Sequence, residues 1–360
     1  MRIKRTASVA ATYDPDSLLH TGRWTLGDQD VPVDAMTPRP EGTSREDGAP
    51  QFAHVADLGH DVFAIDTQMG GYDGITAAYL IRGSRPVLVE TGTARSAEVV
   101  RNALSHLGIG PDDLATIVVT HIHLDHAGGV GDLAATYPRA EIAVHTRGAR
   151  HLVDPGRLLR SARMVFGDTM DTLFGDLLPT EAQRVRAVDE GDVIDLGDGR
   201  GLDVMYAPGH ASHHVALIDS KSGDVYTGDA AGVYVPETAD VRPATPPPDF
   251  DLDLTLTSLA AIRARGAQRL LFSHFGPVTD VALTLDRSEA ELHRWVEHVR
   301  AAYSPRLDLD HAVALVREFA GAGYPNELRE RGYSDLEGKF EVLSSTQANV
   351  AGVMHWLDRD

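Results

Sequence analysis

The stretch VVTHIHLDHAGGV, residues 118–130, places three histidines and an aspartate side by side between an apolar run and a pair of glycines. Imidazole nitrogens and carboxylate oxygens that leave water each need a partner, so such a crowd is costly as ordinary core. In an extended segment residues two apart point the same way, so His121 and His123 can present nitrogens to one point. A turn after Leu124 swings Asp125 and His126 toward a neighbouring point, and Gly128 and Gly129 open the next helix. The chain must therefore display a loop of ligand-type side chains at the C-terminal end of a buried strand, here LATIVVT.

Two nitrogens are too few to hold a metal tightly. Three further candidates stand at the ends of later strand-like runs: His210 in YAPGHASHH, Asp229 in VYTGDAAG and His274 in LFSHFGP, each beside Gly or Pro. The chain has no cysteine, which removes disulfides, thiolate metal sites and cysteine nucleophiles and leaves histidine and carboxylate as donors. The set suits two adjacent divalent ions about 3.5–4 Å apart. His121, His123 and His210 would hold the first, and Asp125, His126 and His274 the second, with Asp229 bridging. Zinc is the foremost expectation for both ions, and the same donors accommodate iron or manganese. His213 and His214 are expected to support or pack beside these ligands.

Around this core the chain divides into three parts. Residues 1–50, rich in Pro, Gly, Asp and Glu and without sustained period, read as an irregular arm. Residues 51–283 alternate short strands with helices and are expected to form the catalytic domain, with a helical insertion over about 147–180. Residues 284–360 read as a C-terminal helical extension, whose apolar faces offer a homodimer contact. Met164, Phe166, Met170 and Phe174 of the insertion are candidates to roof an apolar substrate pocket.

The motif HIHLDH, followed in order by His210, Asp229 and His274, resembles the metallo-β-lactamase-fold hydrolases over roughly residues 61–277. The resemblance implies an α/β architecture, an αββα four-layer sandwich with the site at one edge between the two sheets, and the same ligand assignments. Where the family usually shows Asp-Thr-Gly after an early strand, this chain has Glu90-Thr91-Gly92. The family's residue orients a ligand histidine, and the longer carboxylate of Glu90 is expected to keep that role. Glyoxalase II, related thioesterases and lactone hydrolases are nearest in ligand pattern. The basic residues with which glyoxalase II holds glutathione have no evident match in the C-terminal helices.

The expected activity is hydrolysis of an ester, thioester, lactone or similar small carbonyl compound by a hydroxide bridging the two ions. Asp125 is expected to orient that nucleophile and carry its proton to the leaving group. Two alternatives share the fold: an iron-dependent oxidoreductase of sulfur dioxygenase type or diiron flavoprotein type, and a nuclease. A diiron flavoprotein usually has glutamate where this chain has His123, and no flavodoxin-like region follows. Against the nuclease stand 53 acidic against 33 basic residues, a net charge of -20, which repels a phosphate backbone. The expected partner is a small-molecule substrate, with neither nucleic acid nor membrane. No apolar run approaches the roughly 18 residues needed to cross a bilayer, and the weakly apolar opening segment points to the cytoplasm.

Overall fold

Short β-branched runs separated by turns build two facing sheets. In the computed structural model the described residues are 54–303, 308–319 and 345–359, with Lys339, Val342 and the positions 25–26 and 29–30. Those last positions form β1 (Thr25–Leu26) and β2 (Gln29–Asp30), an antiparallel pair within a unit of its own, Met1–Ala35. The rest of the expected arm lies outside the described residues.

The first sheet has seven strands in chain order: β3 (Val55–Asp57), β4 (Val62–Asp66), β5 (Ala77–Ile81), β6 (Val87–Val89), β7 (Thr116–Val118), β8 (Glu141–His145) and β9 (Val185–Val188). Its first four strands pair antiparallel, and from β6 onward pairing is parallel, with helices as crossovers. α1 (Ala97–His106) and the segment carrying α2 (Leu124–Ala127) and α3 (Val130–Thr136) make two of these crossovers. α1 and α3 press Val100, Leu104, Val130 and Leu133 onto the sheet's outer face. β5 is buried at every position, as a strand covered on both faces requires.

The second sheet runs β10 (Val193–Gly197), β11 (Arg200–Tyr206), β12 (Val215–Asp219), β13 (Val225–Gly228), β16 (Leu270–Phe272) and β17 (Gly276–Val278). Between β13 and β16 lie the small hairpin of β14 (Val233–Val235) and β15 (Asp240–Arg242), then α6 (Leu252–Ala264), whose N-terminus is capped by Asp251. The sheets meet where Tyr79 packs edge-on against Tyr226, ring centroids 5.4 Å apart, and donates its hydroxyl to the Phe272 carbonyl. The αββα sandwich expected from the sequence is the fold found.

Two arginines, Arg200 buried and Arg269 half-buried, tie the sheets together at the far end from the HIHLDH loop. Arg200 pairs with Asp219 and also donates to the His60 carbonyl at 2.9 Å. Arg269 pairs with Asp224 at 2.6 and 2.9 Å and donates to the Leu58 carbonyl at 2.7 Å. Each guanidinium thus joins a carboxylate of the second sheet to the β3–β4 turn of the first.

The expected insertion lies between β8 and β9. It comprises α4 (Thr146–Val153), α5 (Gly156–Phe166) and a five-residue π-helical turn, Met170–Phe174. The C-terminal helices α7 (Val281–Ala302), α8 (Leu309–Phe319) and α9 (Thr346–Leu357) pack on one another, and α7 also lies on α6 and β15. Val296, Val299, Val316, Val350 and Val353 are buried, so the apolar faces on which a dimer contact was expected turn largely toward each other. Among the described residues no helix is long and apolar enough to cross a membrane.

Candidate metal centre

The β7 ladder ends at Val118, and the chain bends at Thr120 and His121 before α2 turns it back, which delivers the motif at the sheet edge. The loop is clamped from beneath. Glu90 N–H donates to the Val118 carbonyl at 2.9 Å, and Thr91 donates its backbone N–H and hydroxyl to the His126 carbonyl at 2.9 and 2.7 Å.

All seven expected ligands converge. His123 Nδ1 lies 3.0 Å from His121 Nε2 and 2.9 Å from His210 Nε2, forming one trio. His274 Nε2 lies 3.1 Å from His126 Nε2 and 3.2 Å from Asp125 Oδ2, forming a second. Asp229 stands between them: Oδ2 is 3.5 Å from His210, while Oδ1 is 3.4 Å from His126 and 3.7 Å from His274. Its two oxygens each face one trio.

Outer hydrogen bonds turn the nitrogens inward. His210 Nδ1 is 3.0 Å from the Ala244 carbonyl and His274 Nδ1 is 2.9 Å from that of Ile75, so both must donate outward. Thr120 gives its one hydroxyl proton to Glu90 and therefore accepts from His121 Nδ1 at 3.0 Å. Glu90 Oε1 also accepts from Ser273 at 3.0 Å and faces His126 Nδ1 at 3.4 Å. Each of these four histidines is left with its Nε2 aimed into the cluster.

His123 Nδ1 lies about 3 Å from two imidazole nitrogens and has at most one proton to share between them, and Asp229 Oδ1 is buried with no hydrogen-bond donor among the described residues. A cation at each trio satisfies both conditions, so the residues fit two divalent ions. Burial pushes His121 well below its ordinary pKa and brings His123 and His210 down to about 4, which keeps their nitrogens free at neutral pH. Burial acts against charge on His126 as well, but Asp229, Asp125 and Glu90 outweigh it and raise His126 well above its ordinary value. For Asp125 and Asp229 burial favours the neutral acid, and the adjacent imidazoles overcome it and hold both carboxylates low.

The support around Asp229 is equally specific. His214 Nε2 accepts its backbone N–H at 3.0 Å, a supporting role of the kind expected. Gly228, at φ 51°, lies so close beneath that an added Cβ would sit 2.4 Å from His214 Nε2 and 2.6 Å from Thr120 Oγ1. Gly228→Ala is expected to destabilise the protein by about 3 kcal/mol, from overpacking and the left-handed backbone together, measured by urea unfolding. A loss below about 0.5 kcal/mol, the scale of neutral surface changes, would show that the cluster is not rigidly packed there. Glu90 itself holds φ 66°, an uncommon conformation for a residue with a Cβ, at the point where its carboxylate meets Thr120, Ser273 and His126.

A cavity of about 630 Å³ opens over the cluster, lined by His123, Asp125, His210, Asp229 and His274 at its base. Of the four pocket candidates, Phe166 and Phe174 line it. Met164 does not, being 81% exposed on the opposite side of α5, and Met170 is buried in the core beneath. The helical period separates 164 from 162 and 166, which face the cavity. His213 also lines it, with burial pushing its pKa down to about 4. From the C-terminal region Ser345, Ala348 and Asn349 complete the wall, held by Asn349 accepting the Thr245 backbone N–H. Thr120 and Ser273 were not anticipated, although each is the hydroxyl residue immediately before a ligand histidine.

A sequence description of the metallo-beta-lactamase superfamily matches residues 71–274. The chain is 30% identical over 177 residues to the metallo-beta-lactamase fold-containing protein ST1585 of Sulfurisphaera tokodaii, covering 48% of this chain and 62% of that one. It is 30% identical over 201 residues to the acyl-coenzyme A thioesterase MBLAC2 of Gallus gallus, covering 49% and 65%. It thus spans less than two thirds of the length of either relative. The crystal structure of the archaeal ST1585 superposes with a TM-score of 0.58 at 24% identity, covering 82% of this chain and 98% of that one, a likeness of fold. With the description matching more than half of its length and the histidine-aspartate cluster at the expected sheet edge, this chain belongs to the metallo-beta-lactamase superfamily.

Proposed function

We propose that this protein is a hydrolase that holds two divalent ions, zinc foremost, and cleaves an ester, thioester or lactone carbonyl. The observation that carries the reading is Asp229, buried between two ligand trios with one oxygen toward each. The Gallus gallus relative is by name an acyl-coenzyme A thioesterase, and a relative from Claviceps purpurea is by name an atrochrysone carboxyl ACP thioesterase, which puts thioesters first among the carbonyl classes.

In this reading His121, His123 and His210 hold one ion, and Asp125, His126 and His274 the other, with Asp229 touching both. Bound ions of this kind lower the pKa of water to near 7 and polarise a carbonyl oxygen. The chain supplies the rest. Thr120, Glu90, Ala244 and Ile75 fix the imidazoles before substrate arrives, so no reorganisation is needed at the reacting centre. Asp125, 22% exposed at the cavity base, is the carboxylate placed to orient the attacking water and pass its proton to the leaving thiol or alcohol. The walls from α5 and α9 exclude bulk water from the carbonyl.

Asp125→Ala is expected to lower kcat by about 10²–10⁴-fold while the melting temperature of the metal-free protein moves by less than about 4 °C. A variant retaining most of its turnover would remove Asp125 from this role. The function itself is tested by incubating zinc-loaded protein with short- and long-chain thioesters, esters and lactones and following thiol, alcohol or acid release. Turnover of one of these classes, lost on chelation, is expected. Oxygen consumption with a persulfide, and no carbonyl turnover, would replace the hydrolase with a redox enzyme of the same fold.

A further inference from the structure

The cavity has a charged end that the hydrolytic chemistry leaves unused. On a chain of net charge -20, Arg147 and Arg150 of α4 and Arg157 at the start of α5 all line it. Among the described residues none of the three forms an ion pair with a carboxylate. Arg147 reaches only the Ser212 carbonyl at 3.4 Å and lies over the Tyr206 ring, while Arg150 donates to His151 at 3.1 Å. Other exposed arginines nearby do find carboxylates: Arg163, six residues further along α5 and off the cavity, bridges Asp171 and Asp176. Burial together with Arg150 and Arg157 pushes the His151 imidazole below its ordinary pKa, which places all three groups in one field.

The arginines are held at the site by close packing. Gly148 lets α4 press onto the ligand loop, where an added Cβ would lie 2.8 Å from Ile122, the residue between His121 and His123. α5 then turns one continuous face to the cavity: Arg157 and Leu158, Ser161 and Ala162, Val165 and Phe166. That face begins charged and becomes apolar over about 13 Å, at about 1.5 Å per residue.

We propose that Arg147, Arg150 and Arg157 bind an anionic group of the substrate, phosphate or carboxylate, while its apolar chain lies along the Ala162–Phe166 wall. The substrate is then an amphiphilic anion whose scissile carbonyl sits over the histidine-aspartate cluster. This rests on the hydrolase reading and narrows it. Guanidinium groups offer paired donors that match phosphate and carboxylate oxygens, and free of carboxylate partners they give up no ion pair on binding. In a chain otherwise acidic, they also draw an anion toward this one opening.

The test compares three thioesters with the same octanoyl chain: S-octanoyl-pantetheine, S-octanoyl-4′-phosphopantetheine and S-octanoyl-3-mercaptopropionate. The expected result is a KM at least tenfold lower for one anionic thioester than for the neutral one. The better anion identifies the source as phosphate or carboxylate. The preference should fall to within twofold in the Arg150→Ala, Arg157→Ala double variant and persist in Arg160→Ala, which is exposed on α5 but off the cavity. A second readout needs no turnover: calorimetric titration of metal-free protein with octyl phosphate and octanoate. One of them should bind at least fivefold more weakly to the double variant, with a difference that shrinks at high salt. Equal KM values for charged and neutral thioesters, or equal affinities for wild type and double variant, would overturn the proposal. Arginine-dependent binding without hydrolysis of any thioester, ester or lactone would keep the anion site and overturn the hydrolase.

Discussion

Asp229→Ala is expected to lower kcat/KM by about 10³–10⁴-fold, or ~4–5.5 kcal/mol at about 1.36 kcal/mol per decade. The side chain's two oxygens face both trios, at 3.5 Å from His210 and 3.4 Å from His126. Removing it leaves five imidazoles and Asp125 to hold two like charges with no shared anion between them, so at least one ion is lost. In the metal-free protein Asp229 also faces His126, His274 and His210, so the folding cost of its loss is measured alongside. The extra stability that zinc confers on wild type should shrink in the variant. Full activity with two ions retained would place the bridge elsewhere.

Asp224→Ala is expected to destabilise the protein by about 3–5 kcal/mol, the cost of leaving a buried charge without its partner. Arg269 keeps one hydrogen bond, to the Leu58 carbonyl at 2.7 Å, but loses both bonds to its carboxylate. Because that guanidinium joins the second sheet to the β3–β4 turn of the first, the loss should appear as a lower urea midpoint with an unchanged slope. Replacing both partners with leucine should recover much of the stability, since no charge is then left buried. A single variant within about 0.5 kcal/mol of wild type, as for a surface substitution, would mean that solvent reaches the pair and that the clamp is not needed.

What the sequence made legible follows from where its signals are local. The HIHLDH segment states its chemistry within six residues, and His210, Asp229 and His274 each end a strand-like run, so the cluster could be assembled without coordinates. The strands β4 to β8 and helices α1, α6 and α7 are likewise local patterns of β-branched or periodic residues. The small hairpin β14–β15 was not, because its two strands are three residues each, too short to show a period of two. Met164 and Met170 were grouped with Phe166 and Phe174 by composition, whereas the face each presents depends on how α5 and the π-helical turn after it are rotated. Thr120, Ser273, Arg200 and Arg269 act through partners tens to hundreds of residues away, as Ser273 does on Glu90, and no spacing rule reports such contacts. The arginines of α4 and α5 were visible as residues, but only the fold shows that they share a cavity with the ligands.

The most direct test of the two-ion centre is the metal content of protein purified without added metal, counted by inductively coupled plasma mass spectrometry for wild type and Asp229→Ala. The account predicts about two divalent ions per wild-type chain, the number a bridged site holds, and about one or none in the variant. One iron per wild-type chain, unchanged in the variant, would contradict it and direct attention to redox chemistry.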